Sequence, residues 1–278
     1  MNRKVGLLLW VIAIMFLLSA CNGTTTPSET DSTVVVGMEG SYKIYTKDHK
    51  VGMVDIKGKI LLPAQFDYIE DYSYDHLVLV DSGGHHLNQG DAVGYVFKKY
   101  GIVTDKGRIL FRPVFDGVFI SDHMIRVKAD SLYGYTTDKG VWVVKPKYKE
   151  AYPFDREAAV VKVGDKYTLI NKAGQPFTHR YFDSMGDLHN GVSAFFNQGK
   201  SGFINYKGQI LLEGIFGTGE YNWNYGKIFK GQKTYLIDTL GKIYKTGFDT
   251  VETYEGKNNS TIAKGKINGK AIEIVLTR

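Results

Sequence analysis

Asn205-Tyr206-Lys207-Gly208-Gln209-Ile210-Leu211-Leu212 reads as a turn followed by a strand, and the chain repeats the device. The matching turns are Asp55-Ile56-Lys57-Gly58, Thr104-Asp105-Lys106-Gly107, Thr137-Asp138-Lys139-Gly140, Asn171-Lys172-Ala173-Gly174 and Asp238-Thr239-Leu240-Gly241. Asp, Asn or Thr in first place can accept a hydrogen bond from a backbone N–H two residues on, and glycine in fourth place supplies positive φ. That is a type I turn closed by a left-handed residue, a three-residue hairpin loop with a bulge. A strand should follow each glycine. Ile60-Leu61-Leu62, Ile109-Leu110-Phe111, Val141-Trp142-Val143-Val144 and Ile210-Leu211-Leu212 fit, whereas Gln175-Pro176-Phe177 and Lys242-Ile243-Tyr244 are weaker.

Other positions keep phase with these glycines, which lie 49, 33, 34, 34 and 33 residues apart. Eight residues on stands an aromatic: Phe66, Phe115, Tyr148, Phe182 and Phe216, with Phe248 seven on in the last copy. Asp67, Asp116, Asp183 and Asp249 follow four of them. A third strand is centred near Leu79, Val127, Val161, Phe195, Phe229 and Ala263. Gly52, Gly101, Gly134 and Gly202 precede their turn glycines by six residues, where a strand must pass close to another backbone. The first interval holds an insertion at about residues 82–97. No helical hydrophobic period follows residue 20, so the expected fold is all-β, a tandem antiparallel β-meander of about 33-residue repeats.

Val51-Gly52-Met53-Val54-Asp55, Tyr133-Gly134-Tyr135 and Ser201-Gly202-Phe203-Ile204-Asn205 resemble the WG-repeat (KWG) family, whose consensus runs Lys-Trp-Gly-Tyr-Ile-Asp-x-x-Gly. The resemblance covers about residues 41–278. The eponymous Trp is replaced in every copy, by Val51, Tyr100, Tyr133, Tyr167, Ser201 and Thr234. One such unit cannot bury its apolar face alone, so neighbours must stack. Residues 41–46 and 270–276 read as orphan strands at the two ends. Their pairing would close a ring and leave no free edge, so a propeller-like closed array is expected ahead of an open β-solenoid.

The N-terminus reads separately. Arg3 and Lys4 precede an apolar run from Val5 to Leu18, which ends in Leu18-Ser19-Ala20-Cys21. The run is short of the roughly 20 residues that span a bilayer. It resembles a bacterial lipoprotein signal, which implies cleavage before Cys21 and a diacylglyceride on that residue. Residues 1–20 are then the signal, 21–38 a Ser/Thr-rich tether and 39–278 the repeat domain, an extracytoplasmic protein anchored to a membrane by its lipid. Cys21 is the sole cysteine, so no disulfide is expected.

The formal charge of +6 is dispersed, with no run of like charge suited to nucleic acid. There is no Gly-x-Ser-x-Gly, His-Glu-x-x-His or phosphate-binding glycine loop. His85-His86, flanked by Asp81 and Asp91, offers too few converging ligands for a metal, and no cofactor is expected. Tyr95, Phe97 and Tyr100 in the insertion, and Tyr221, Trp223 and Tyr225 in a loop of the fifth repeat, are the candidate binding residues. The expected function is non-enzymatic binding or scaffolding at the cell envelope, with a protein or glycan partner. An envelope polysaccharide hydrolase or lyase is the alternative.

Overall fold

The computed structural model describes residues 34–36, 42–74, 76–89, 92–121, 123–222, 225–244, 247–257 and 260–276. They are strands and turns arranged in two compact units, Met1–Asp116 and Gly117–Arg278.

In the first unit, β1 (Val34–Val36), β2 (Lys43–Lys47), β3 (Lys50–Val54) and β4 (Ile60–Phe66) form an antiparallel meander. The next sheet holds β5 (Tyr68–Tyr74) and β6 (Leu77–Asp81). The chain then leaves it to form a separate hairpin, β7 (His85–Gln89) with β8 (Ala92–Val96), and returns as β9 (Tyr100–Thr104) and β10 (Ile109–Phe115).

In the second unit, β11 (Gly117–Ser121), β12 (Met124–Ala129), β13 (Leu132–Thr137) and β14 (Trp142–Tyr148) form the first sheet. A two-stranded sheet follows, β15 (Ala158–Val163) with β16 (Lys166–Asn171). Next come β17 (Ser184–Met185), β18 (Val192–Asn197), β19 (Lys200–Asn205) and β20 (Ile210–Gly214). Then β21 (Gly217–Asn222), β22 (Tyr225–Lys230) and β23 (Lys233–Asp238) form a sheet, and β24 (Thr250–Glu255), β25 (Thr261–Ile267) and β26 (Lys270–Leu276) another. Where the sequence read weak strands, only single bridges form, Ile170 with Pro176 and Ile237 with Ile243. Pro176 has no N–H to give a ladder.

Besides the β7–β8 hairpin the described strands make seven sheets, not six, because sheet and sequence repeat are out of phase. The turns at Gly58, Gly107, Gly140 and Gly208 join the third and fourth strands of a sheet, and the next sheet supplies the rest of the sequence unit. β2 pairs with β1 and β3, whereas among the described residues β26 pairs with β25 and forms the edge of its sheet. β1 also lies in the stretch read as tether, so ordered pairing begins before residue 39.

The turns have the expected chemistry. Asp55 Oδ1 accepts from the N–H of Lys57 at 2.8 Å and of Lys59 at 2.9 Å, and Asn205 and Asp238 repeat this. The six turn glycines have φ between +76° and +86°. They also mediate stacking. A Cβ on Gly107 would lie 2.2 Å from the Leu61 carbonyl oxygen, one on Gly174 2.4 Å from Val144 Cγ2, and one on Gly208 2.6 Å from Thr178 Cγ2. These three turns thus rest on the segment that follows the preceding turn. The earlier glycines of the repeat face another backbone. A Cβ on Gly134 would be 2.6 Å from the nitrogen of Pro146, and one on Gly101 2.8 Å from that of Pro113. Proline suits that position because it has no N–H to satisfy. Ala64 stands there in the first sheet, and its N–H donates to the Tyr45 hydroxyl at 2.9 Å.

Aromatics at the eighth position fill the cores: Phe66, Phe115, Phe182 and Phe248 are at most 2% exposed. The aspartates after them link strands to turns. Asp67, Asp183 and Asp249 pair with Lys50, Lys166 and Lys233 at the starts of β3, β16 and β23. Their second oxygens accept from the N–H of Gly83, Gln198 and Gly269, at 2.6, 2.7 and 2.7 Å.

Candidate functional site

The insertion replaces a tight turn. Elsewhere this connection takes two residues, such as Asp130-Ser131 between β12 and β13 or Gly231-Gln232 between β22 and β23. Between β6 and β9 it becomes the β7–β8 hairpin, with Leu87 opposite Gly94 and Gln89 opposite Ala92.

Its base is fixed by a buried carboxylate. Asp81 is fully buried, and its Oδ1 accepts from the N–H groups of Lys98 at 3.1 Å and Lys99 at 2.8 Å. Its Oδ2 accepts from the Gly84 N–H at 2.7 Å. One side chain thus grips both legs of the hairpin, and the hydrogen bonds compensate the charge for its burial. Asp67 adds the bond to Gly83, and the Lys99 ammonium pairs with Asp116 at 2.5 Å.

Beside this base three rings meet. Phe97 stacks on Tyr100 with centroids 4.5 Å apart and planes 2° from parallel. Tyr68 meets Phe97 edge-on at 5.4 Å. All three are half-buried, so the group keeps an accessible side. Burial, reinforced by the Glu70 and Asp81 carboxylates, raises the Tyr100 pKa. Its hydroxyl therefore stays protonated at neutral pH and acts as a hydrogen-bonding group.

Two of the six candidate binding residues are thus brought together, and Tyr68, which the sequence did not single out, completes the set. Tyr68 directly follows Asp67, one of the phased aspartates, and that adjacency is its signal in the sequence. The backbone of Tyr95 lies in β8 opposite His86, and that of Tyr221 in β21 opposite Gly226. Trp223 and Cys21 lie outside the described residues. Tyr225 is a correction to the sequence reading. It is 3% exposed, packs with Leu236, Phe248 and Val251, and meets the Tyr244 ring at 5.5 Å, so it fills core.

The carboxylates with shifted acidity all move the same way. The Lys50, Lys166 and Lys233 ammonium groups, then backbone N–H donors, hold Asp67, Asp183 and Asp249 below the usual carboxylate range. Lys162, then the Tyr167 hydroxyl, does the same for Glu150. Such groups are held as anions, the opposite of a general acid, whose pKa must be raised. Among the described residues no three His, Cys, Asp or Glu side chains converge as a metal site.

No curated protein sequence matches the chain. Hsv2p of Kluyveromyces lactis superposes at 9% identity over 88% of this chain and 97% of that one, with a TM-score of 0.39. A eukaryotic initiation factor does so at 12% identity over 86% and 72%, with a TM-score of 0.40. Apo AztD from Citrobacter koseri does so at 14% identity over 90% and 74%, with a TM-score of 0.27. The sequence model described as WG containing repeat matches residues 52–84 and 133–167. These segments contain Gly52 and Gly134, the turns at Gly58 and Gly140, and the third strands β6 and β15, so the chain carries WG repeats.

Proposed function

We propose that the protein is a non-enzymatic binding or scaffold protein of the bacterial envelope, held at the outer face of a membrane by a diacylglyceride on Cys21. Its β-repeat surface engages an envelope protein or glycan, with the β7–β8 hairpin and the Tyr68, Phe97 and Tyr100 rings as the leading contact. The observation that carries this reading is the Asp81 clamp. A buried carboxylate is spent on three N–H groups that hold an insertion, although a two-residue turn suffices at the equivalent sites. Loops held rigidly on a scaffold suit recognition. The lysine-bound carboxylates favour binding over acid catalysis.

The test is capture from envelope extract by residues 22–278, beside a variant in which Asn-Gly replaces residues 83–98. The intact chain should retain a partner that the shortened chain loses, while both melt as folded proteins. Equal capture by both would overturn the assignment to the hairpin.

A further inference from the structure

One face of β12, in the second unit, carries two cations. Arg126 and Lys128 stand two residues apart and half-buried, while Ile125 and Val127 fill the opposite face as core. Arg126 occupies a register that other sheets leave apolar or neutralise. The residue just before the one opposite the glycine slot is Ile44, Leu79, Val160 and Ala194 in four of them. In a fifth it is Lys227, which pairs with Glu252 at 3.1 Å. Among the described residues neither Arg126 nor Lys128 lies within ion-pair distance of a carboxylate.

The Arg126 guanidinium is seated by three groups. Its Cζ lies 5.4 Å from the Phe119 centroid and 5.3 Å from the Tyr133 centroid, and its Nη1 donates to the Ala151 carbonyl at 2.8 Å. Phe119 stands directly opposite Arg126 on β11, and Tyr133 packs on the core of Tyr135, Tyr148 and Phe154. The Lys128 ammonium lies 5.5 Å from the same Tyr133 centroid, so one ring relates the two cations. Phe119 is 48% exposed, and the seat therefore opens to solvent. The Arg126 charge also acts on Tyr152, whose pKa is raised by burial and by the Asp187 and Glu150 carboxylates, so its hydroxyl stays protonated. Both carboxylates have partners of their own. Glu150 is held by Lys162 and Tyr167, and Asp187 lies 3.0 Å from His189 Nε2.

We propose that Arg126 and Lys128 bind an oxyanion, the carboxylate or phosphate group of a ligand, which rests on the binding reading and deepens it by naming a ligand class and a second site. A guanidinium carries five N–H donors, and only one bond, to Ala151, is made here. Its planar fork matches two oxygens of either anion, and the Lys128 ammonium adds a second charge. The flanking rings fix the fork before a ligand arrives and lower the local dielectric, which strengthens its attraction for an anion. Packing alone does not ask for a cation, since Ile44, Leu79, Val160 and Ala194 serve at the same register. Half-burying a charge with no counterion is a cost that a bound anion offsets.

The experiment is an NMR titration of residues 22–278 that follows the Arg126 Nε–H and the backbone amides. Inorganic phosphate and acetate are added separately, at an ionic strength held constant with sodium chloride so that screening does not change. Saturable shifts at the Arg126 Nε–H and at residues 117–120, 125–129, 132–135 and 150–152 are expected. Arg126→Lys keeps the charge but loses the fork, and should weaken binding about tenfold. Because Arg126 also bonds Ala151, Lys128→Gln serves as a second variant that leaves this bond in place, and should weaken binding about twofold to fivefold. A response to phosphate alone assigns a phosphoryl ligand, to acetate alone a carboxylate and to both an oxyanion of either kind, and each upholds the site. No saturable shift up to about 30 mM of either probe, or undiminished binding by either variant, overturns it. Hairpin-dependent capture with a silent titration would refute this seat alone, whereas a positive titration without hairpin dependence would refute the hairpin assignment alone.

Discussion

The turn glycines allow a comparison in which backbone strain cancels and stacking remains. Gly58 and Gly107 occupy the same turn position with φ of +86° and +80°. Alanine at either must adopt a left-handed conformation, at about 1–2 kcal/mol, partly offset by the stiffer unfolded chain, about 0.4–1 kcal/mol. Here the two sites part. A Cβ at Gly58 meets nothing within 4 Å, whereas one at Gly107 would lie 2.2 Å from the Leu61 carbonyl oxygen and 2.5 Å from its carbon. A neighbouring backbone cannot rotate away, so the two repeats must separate, at the cost of an overpacked core, about 1–3 kcal/mol. Gly107→Ala should therefore be less stable than Gly58→Ala by about 1–3 kcal/mol. Gly241, with its nearest atom at 3.3 Å, should fall between them. Urea unfolding of residues 22–278 gives the ranking through midpoints at a common slope. Equal midpoints for Gly58→Ala and Gly107→Ala would show that the turn does not rest on the preceding repeat.

Four further outcomes are expected. Asp81→Asn places an amide N–H₂ among backbone donors, costs about 1–3 kcal/mol and raises amide exchange in residues 83–99, whereas unchanged exchange there would remove the clamp. Tyr225→Ala should cost about 3–5 kcal/mol as a core truncation, and a Phe97→Ala melting curve falling equally far would show that the ring group is core as well. The paired aspartates bind protons less readily folded than unfolded, so their stabilisation is present at neutral pH and is lost as pH falls below about 4. Circular dichroism should thus place the acid transition of Lys50→Met at higher pH than that of the parent, and superimposed curves would count against the pairing. Finally, Cys21→Ser should release the protein from membranes, and labelled palmitate entering that variant would disprove lipidation at Cys21.

Local chemistry was legible in the sequence and relations across repeats were not. The turns could be read because the Asp55 side chain and Gly58 act within five residues. The phased aromatics could be read because large apolar groups at constant spacing must go inside, and most do. The number of sheets could not, since hydrogen bonds ignore where a repeat is taken to begin. The aspartates looked like ordinary turn residues, but the N–H groups they cap lie 15 to 20 residues ahead. Phe229 marked a strand correctly, yet it is 43% exposed while Ile228 is buried. Ile228 stands opposite Tyr235, the residue in the glycine slot of that copy, and this register fixes which of the two points inward. At the candidate site, Phe97 and Tyr100 were found by composition. Tyr68 and the true role of Asp81 needed the fold, which joins residues far apart in the chain.

The half-unit offset between sequence repeat and sheet has a consequence for how such a chain can grow or shrink. Each four-stranded internal sheet takes two strands from one copy and two from the next, like bricks laid across a joint. Duplicating one whole copy of the gene segment would lengthen the protein by a complete sheet without leaving a half-built one, because the new block enters between the second and third strands and supplies exactly what each broken sheet lacks. Deleting a copy heals in the same way. The number of repeats can then drift by simple recombination while every strand keeps a partner, and a single copy is free to acquire an insertion such as the β7–β8 hairpin.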